Sequence, residues 1–389
     1  MPRDRVRPWR RAALITVITA SVAYAPLAMT ELWPYADPDA PAIGKRLLAA
    51  TVSPSYVADA FATRLGPYGR SLVAMIVHSV LGGLLMLLGP AQLLTAVRRR
   101  TGLHRGLGVL YVLTVYGSMA GAGVYLARTA PADAFSGPAF WLVLATILVG
   151  TVLSVTFGVM AVLGGFPDLH QRWLLLGYGF LMTAPLLRLE WSVLPALMPG
   201  ASLAEVNRVA IMHLGMVVAF GALLASRAMD RRSRIGGLRG SWAPWPVLAA
   251  AHLAGAAALT WIVSHSSAWG DTRTRLLLGL LLPFALVYAV LLHRATATRG
   301  WPREEWRIHL VALCAAPVLA VGLTPLFSTA LGLDRSVALT AGIAVSCGMT
   351  AFAGVLTVTV RVMLARETTR RTAAGSPAAA PTTRERQPA

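Results

Sequence analysis

The residues able to do chemistry in this 389-residue chain are its eight histidines and a few arginines set inside or beside apolar stretches. His78 sits in the run Met75-Ile76-Val77-His78, and His104 and Arg105 follow the basic exit Arg98-Arg99-Arg100; His170, Arg188 and His213 recur in the same manner further along. Imidazole changes charge near neutral pH and is the commonest metal ligand. Arginine stays charged, so within an apolar segment it must meet an anion, a wet cavity or the interface. Depth sorts these groups into two layers. At about 1.5 Å of helix rise per residue, His78 lies roughly 10 Å inside from Arg70 and His213 roughly 8 Å inside from Arg208, with Arg188 near the same end. His78, Arg188 and His213 form a candidate outer-layer site, and His104, Arg105 and His170 a candidate inner-layer site.

Two readings follow. Two histidines per layer, His78 with His213 and His104 with His170, match the layout needed for axial ligation of b-type haem between helices, and hence a haem- or quinone-linked electron-transfer protein. The outer cluster alone suits a permease or small-ligand-binding membrane protein that takes an anionic or lipid-like molecule. A scaffold or sensor without catalysis is the third possibility. No HExxH, Walker or GxSxG motif and no carboxylate pair is present, which removes the support for zinc protease, NTPase and hydrolase chemistry. Glu31, Glu190 and Glu205 fall near segment ends, so no mid-membrane carboxylate is visible.

The elements that must hold these groups are helices. At about 100° per residue, His78, Gly82, Leu85, Gly89 and Gln92 share one line, as do His104, Gly108, Tyr111, Val115 and Ser118, and again His170, Gly177, Leu181, Ala184 and Arg188. Gly82, Gly89, Gln92, Gly108, Tyr111 and Gly177 therefore read as helix-packing stripes facing protein. Gly117 and Gly121 add a GxxxG spacing, and Pro185 is expected to rotate the last turn before Arg188.

Hydrophobic residues make up 56% of the chain and charged ones 13%, with mean hydropathy +0.63; soluble domains carry about 25% charged residues. The fold class is all-α, a polytopic transmembrane bundle of about ten spans. The formal net charge of +19 would suit nucleic acid, but the arginines stand in short runs between apolar segments, which points to topology instead. Most basic residues fall on the side of both termini, so the positive-inside rule places the termini in the cytoplasm. Cys314 and Cys347 lie in apolar segments without CxxC spacing and read as packing residues.

Along the chain, residues 1–70 read as an uncleaved anchor span and an external loop rich in proline. Residues 71–227 form a five-span core bundle, 228–244 a basic cytoplasmic linker, 245–364 a four-span C-terminal bundle and 365–389 a disordered tail. The strings Gly89-Pro90-Ala91-Gln92 and Leu103-His104-Arg105-Gly106-Leu107-Gly108-Val109-Leu110-Tyr111, then His170-Gln171-Arg172-Trp173 with Arg188 downstream, resemble the predicted bacterial membrane proteins grouped as domain of unknown function 2306, over about residues 71–227. That resemblance implies a multi-pass protein of the bacterial plasma membrane and brings no activity with it.

Overall fold

The computed structural model describes residues 8–41, 43–52, 54–229, 240–266 and 273–374. No strand occurs among them, and ten segments are helices long and apolar enough to cross a bilayer. The first crossing is α1 (Pro8–Thr30), continued by the short α2 (Trp33–Ala36). Two further helices, α3 (Ile43–Thr51) and α4 (Pro54–Gly69), lie between it and α5 (Leu72–Leu93). After the short α6 (Thr95–Arg99), α7 (Thr101–Arg128) and α8 (Pro138–Leu163) cross in turn. The next crossing is split into α9 (Pro167–Leu181) and α10 (Thr183–Leu197), and α11 (Leu203–Met229) follows. The remaining crossings are α12 (Trp245–Ser266), α13 (Arg273–Leu276) running through a π-helical turn at Leu277–Leu281 into α14 (Leu282–Ala297), α15 (Trp301–Leu331) and α16 (Arg335–Ala374).

Local chemistry sets the ends. Ser202 and Glu205 make a reciprocal capping box at the start of α11: the Ser202 N–H donates to Glu205 Oε2 at 2.8 Å, and the Glu205 N–H donates to Ser202 Oγ at 3.3 Å. Pro138 and Pro302 occupy first-turn positions, where a missing N–H costs nothing, each behind a glycine with positive φ. The α9–α10 break at Met182 comes three residues before Pro185, which cannot donate back to Leu181. The Thr183 hydroxyl donates to the Phe180 carbonyl beside the break at 2.6 Å.

The stretch expected as an external loop is helical. In α4, Val57, Ala60, Phe61 and Arg64 recur at i, i+3, i+4 and i+7 and are all buried, and Leu48 and Val52 join the same core as Trp191, Val206 and Ala210. α3 and α4 thus form a packed cap over one end of the bundle, called here the capped end. The last helix also runs beyond the expected limit of residue 364, because Arg366 chelates Asp168 of α9 through both Nη atoms and Arg371 pairs with Glu367 one turn back at 2.8 Å. Of the expected linker, residues 230–239 lie outside the described residues, as do 375–389 of the expected tail.

The central helix is α11. A side-chain carbon at Gly179 would stand 2.8 Å from the Gly221 Cα, and one at Gly215 would stand 2.7 Å from the Ala344 Cα. α11 therefore meets α9 on one face and α16 on another at backbone contact, so the last four crossings pack directly on the earlier ones. At the end opposite the cap, Arg172 of α9 pairs with Glu305 of α15 at 2.6 Å, both fully buried.

Candidate functional site

At the capped end, three charged side chains from three distant parts of the chain meet. Glu31, at the end of the first crossing, accepts from Arg64 Nη1 at 2.6 Å through Oε1 and from Arg188 Nη2 at 2.8 Å through Oε2. Glu31 and Arg64 are 2% exposed, and Arg188 is 19% exposed. One carboxylate thus serves two guanidiniums. Arg64 also donates from Nε to the Ala60 carbonyl at 3.0 Å, while its Nη2 and the Nε of Arg188 are buried with no hydrogen-bond partner. Burial alone pulls the Arg64 guanidinium down, but Glu31, assisted by Tyr68 and Tyr35, raises it above its ordinary value. It is charged at every working pH.

Aromatic rings wall this triad. The Arg64 guanidinium lies 4.7 Å from the Phe61 ring centre, 5.3 Å from Phe135 and 5.6 Å from Trp191. Arg188 lies 5.5 Å from the Trp191 ring centre and 5.8 Å from that of Tyr24. Each ring face offers cation–π stabilisation of about 0.5–2 kcal/mol in place of lost hydration. Trp191 is held in turn: its Nε1–H donates to Asn207 Oδ1 at 2.8 Å, and Asn207 Nδ2 donates to Ser136 Oγ at 2.7 Å. The break before α10 is what presents Arg188 toward α1 and α4 and Glu190 toward α11.

Glu190 holds the other half of this polar end. Its Oε1 lies 2.9 Å from His213 Nδ1, and His213 Nε2 lies 2.5 Å from the Leu278 carbonyl in the π-helical turn. A carbonyl only accepts, so Nε2 carries a proton. One further proton then lies between Nδ1 and the carboxylate, and the pair is neutral overall whichever atom holds it. It cannot offset the excess guanidinium of the triad. The π turn, which frees backbone carbonyls from the regular ladder, supplies the acceptor.

The outer-layer residues therefore divide. Arg188 is in the triad, and His213 is engaged at both nitrogens in the separate Glu190 pair. His78, half-buried, donates from Nδ1 to the Ser118 carbonyl at 2.9 Å, and Ser118 Oγ returns a bond to the His78 carbonyl at 3.0 Å. In the inner layer, His170 donates from Nδ1 to the Gly158 carbonyl at 2.8 Å, the Nδ1 of His104 is buried without a partner, and Arg105 is exposed. The haem arrangement finds no support in these contacts, because His213 has no ring nitrogen to offer opposite His78. Among the described residues no three His, Cys, Asp or Glu side chains form a metal-holding group.

The expected stripes are placed as follows. Gly89 lies under the Tyr178 ring and Gly177 against Ser154; Tyr111 is buried with its hydroxyl unpartnered. Gln92 reaches the His104 carbonyl at 3.4 Å. A side-chain carbon at Gly82 would stand 4.0 Å from Ser118 Oγ, whereas one at its neighbour Gly83 would stand 2.8 Å from the Ala25 carbonyl of α1; Gly108 faces open space. Of the GxxxG pair, a side-chain carbon at Gly121 would stand 2.5 Å from the Ala74 carbonyl of α5.

Glu31 and Glu190 were read from sequence only as carboxylates near segment ends, and Arg64, Trp191 and Asn207 were not taken as site residues. A usable signal existed for two of them: Glu31 closes an otherwise apolar crossing, and Arg64 completes the buried stripe of α4.

Spanning-length apolar helices around buried ion pairs, closed at one end by a helical cap, define a polytopic integral membrane protein. Residues 75–225 match the model of a family described as Predicted membrane protein (DUF2306). No curated protein and no solved structure matches the chain. The matched region contains Arg188, Glu190, Asn207 and His213, whereas Glu31 and Arg64 precede it.

Proposed function

We propose that the protein binds, and as a permease moves, a small anionic or lipid-like molecule at the Arg64–Glu31–Arg188 site. The observation that carries this reading is the charge imbalance: two permanently charged guanidiniums share one carboxylate, and each retains a buried donor without a partner. A buried unpaired charge is costly, and an anion placed on it gains a charge-assisted, often bidentate hydrogen bond. The groups present suit binding more than proton transfer, since guanidiniums do not titrate and both Glu31 oxygens already accept hydrogen bonds.

Thermal unfolding of the purified chain with acetate and with inorganic phosphate tests this. Stabilisation by an anion that disappears in Arg188→Ala and persists in His104→Ala is the expected result; no response to any anion overturns it. The same reading places both termini on the cytoplasmic face of a bacterial plasma membrane, from the excess of basic residues on that side. Reporter fusions at the C-terminus check it, and a reporter active only outside the cytoplasm would reverse the orientation.

A further inference from the structure

We infer that the anion taken by this site is the carboxylate of a single-chain amphiphile that enters from the lipid side rather than from water. The inference rests on the anion-binding reading above and adds the ligand's class and its route.

Charge sets the head group. Two guanidiniums against Glu31 leave one positive charge, and the Glu190–His213 pair is neutral whichever atom holds its proton, so a single negative charge balances the site. The unpartnered donors, Arg64 Nη2 and Arg188 Nε, belong to planar forks that match a carboxylate. Burial sets the route. From the aqueous side the site is closed by the cap, where Phe61, Arg64 and Glu31 are all buried beneath α4. The only triad member with appreciable exposure is Arg188, at 19%.

That exposure lies on a helix whose adjoining surface is apolar. Leu189 and Val193 of α10 are exposed, and on α1 the residue before the Arg188-contacting Tyr24 is the exposed Ala23. Exposed apolar positions on a spanning helix face lipid. Arg188 is nine residues before the end of α10, about 13 Å of helix, so a head group there leaves its chain within the hydrocarbon layer. One partly exposed side chain makes a narrow opening, which fits one acyl chain better than two.

The test uses the full chain in nanodiscs of zwitterionic lipid, with thermal unfolding read against four probes: oleate, acetate, oleyl alcohol and phosphatidylglycerol. The expected result is stabilisation by oleate at concentrations at least tenfold below those needed for acetate, with no shift from oleyl alcohol or phosphatidylglycerol. Arg188→Gln removes the oleate response. Should that variant fail to fold, Ala23→Trp at the exposed rim leaves the triad intact and is expected to weaken oleate at least tenfold while sparing acetate. Acetate as effective as oleate overturns the amphiphile and leaves anion binding standing. Phosphatidylglycerol in place of oleate overturns the single chain. Oleyl alcohol matching oleate overturns the carboxylate as the recognised group, and no response to any anion overturns both readings.

Discussion

Glu31 is the residue on which the capped end depends. It is the shared acceptor of two buried guanidiniums, and neutralising it leaves both without a counter-charge. Glu31→Gln is expected to destabilise the protein by about 3–5 kcal/mol, the range for removing one partner of a buried pair, and this is measurable as a lowered unfolding temperature in detergent. Arg188→Gln should cost clearly less, because Glu31 keeps Arg64 and Arg188 is already partly exposed. Equal losses in the two variants would show that the triad is not organised around the carboxylate. At this scale the sequence marked Arg188 as a charge needing a partner, yet its partner was hidden. Glu31 is 157 residues away, and nothing in local spacing ties the end of one span to the middle of another. His213 illustrates the opposite case: its depth was legible, but its pairing with Glu190 and a π-turn carbonyl depends on which helices adjoin.

Among elements, the split crossing α9–α10 and the central helix α11 decide the geometry. Pro185 was legible as a perturbation, and the physical reason holds in the structure: without its N–H the chain cannot continue the ladder, and the break at Met182 follows. Pro185→Ala is expected to let α9 and α10 approach one continuous helix. Anion-dependent stabilisation should then fall severalfold as Arg188 is carried away from Glu31. An unchanged anion response would sever the break from the site. α11 is sensitive in a different way. At Gly215 any side chain meets the Ala344 backbone, which cannot rotate aside, so Gly215→Val should cost at least the roughly 1–3 kcal/mol of overpacking; a variant as stable as the parent would mean that α11 and α16 can separate freely. The cap formed by α3 and α4 was read as loop because its prolines stood out. The buried stripe of Val57, Ala60, Phe61 and Arg64 was masked by a charged residue at a core position.

The whole molecule is held together across the boundary of the family match. Arg172 and Asp168 of α9 reach Glu305 of α15 and Arg366 of α16, and α16 packs along α11 at Gly215. A chain ending at residue 229 leaves Arg172 without Glu305 and uncovers the faces of α9 and α11 that α15 and α16 occupy. It is expected to lose the monodisperse peak of the full chain in size-exclusion chromatography, and co-expression of residues 240–389 should restore it. A truncated chain that remains monodisperse and equally heat-stable would show that the two parts fold independently.

Hydropathy and composition by themselves determined the all-α membrane architecture and the number of crossings, because burying a backbone in lipid leaves few solutions and each crossing needs about 20 apolar residues in a row. From sequence Pro185 was expected only to rotate the turn before Arg188; the break at Met182 appears in the structure. Only the tertiary structure decided the site. A guanidinium finds its carboxylate through helix order and rotation, and these are set by close contacts such as Gly179 with Gly221 and by the cap folding back over Glu31. That is why Arg188 could be recognised from its own surroundings as a charge in need of an anion, while Glu31 and Arg64 emerged as its neighbours only once the helices were assembled.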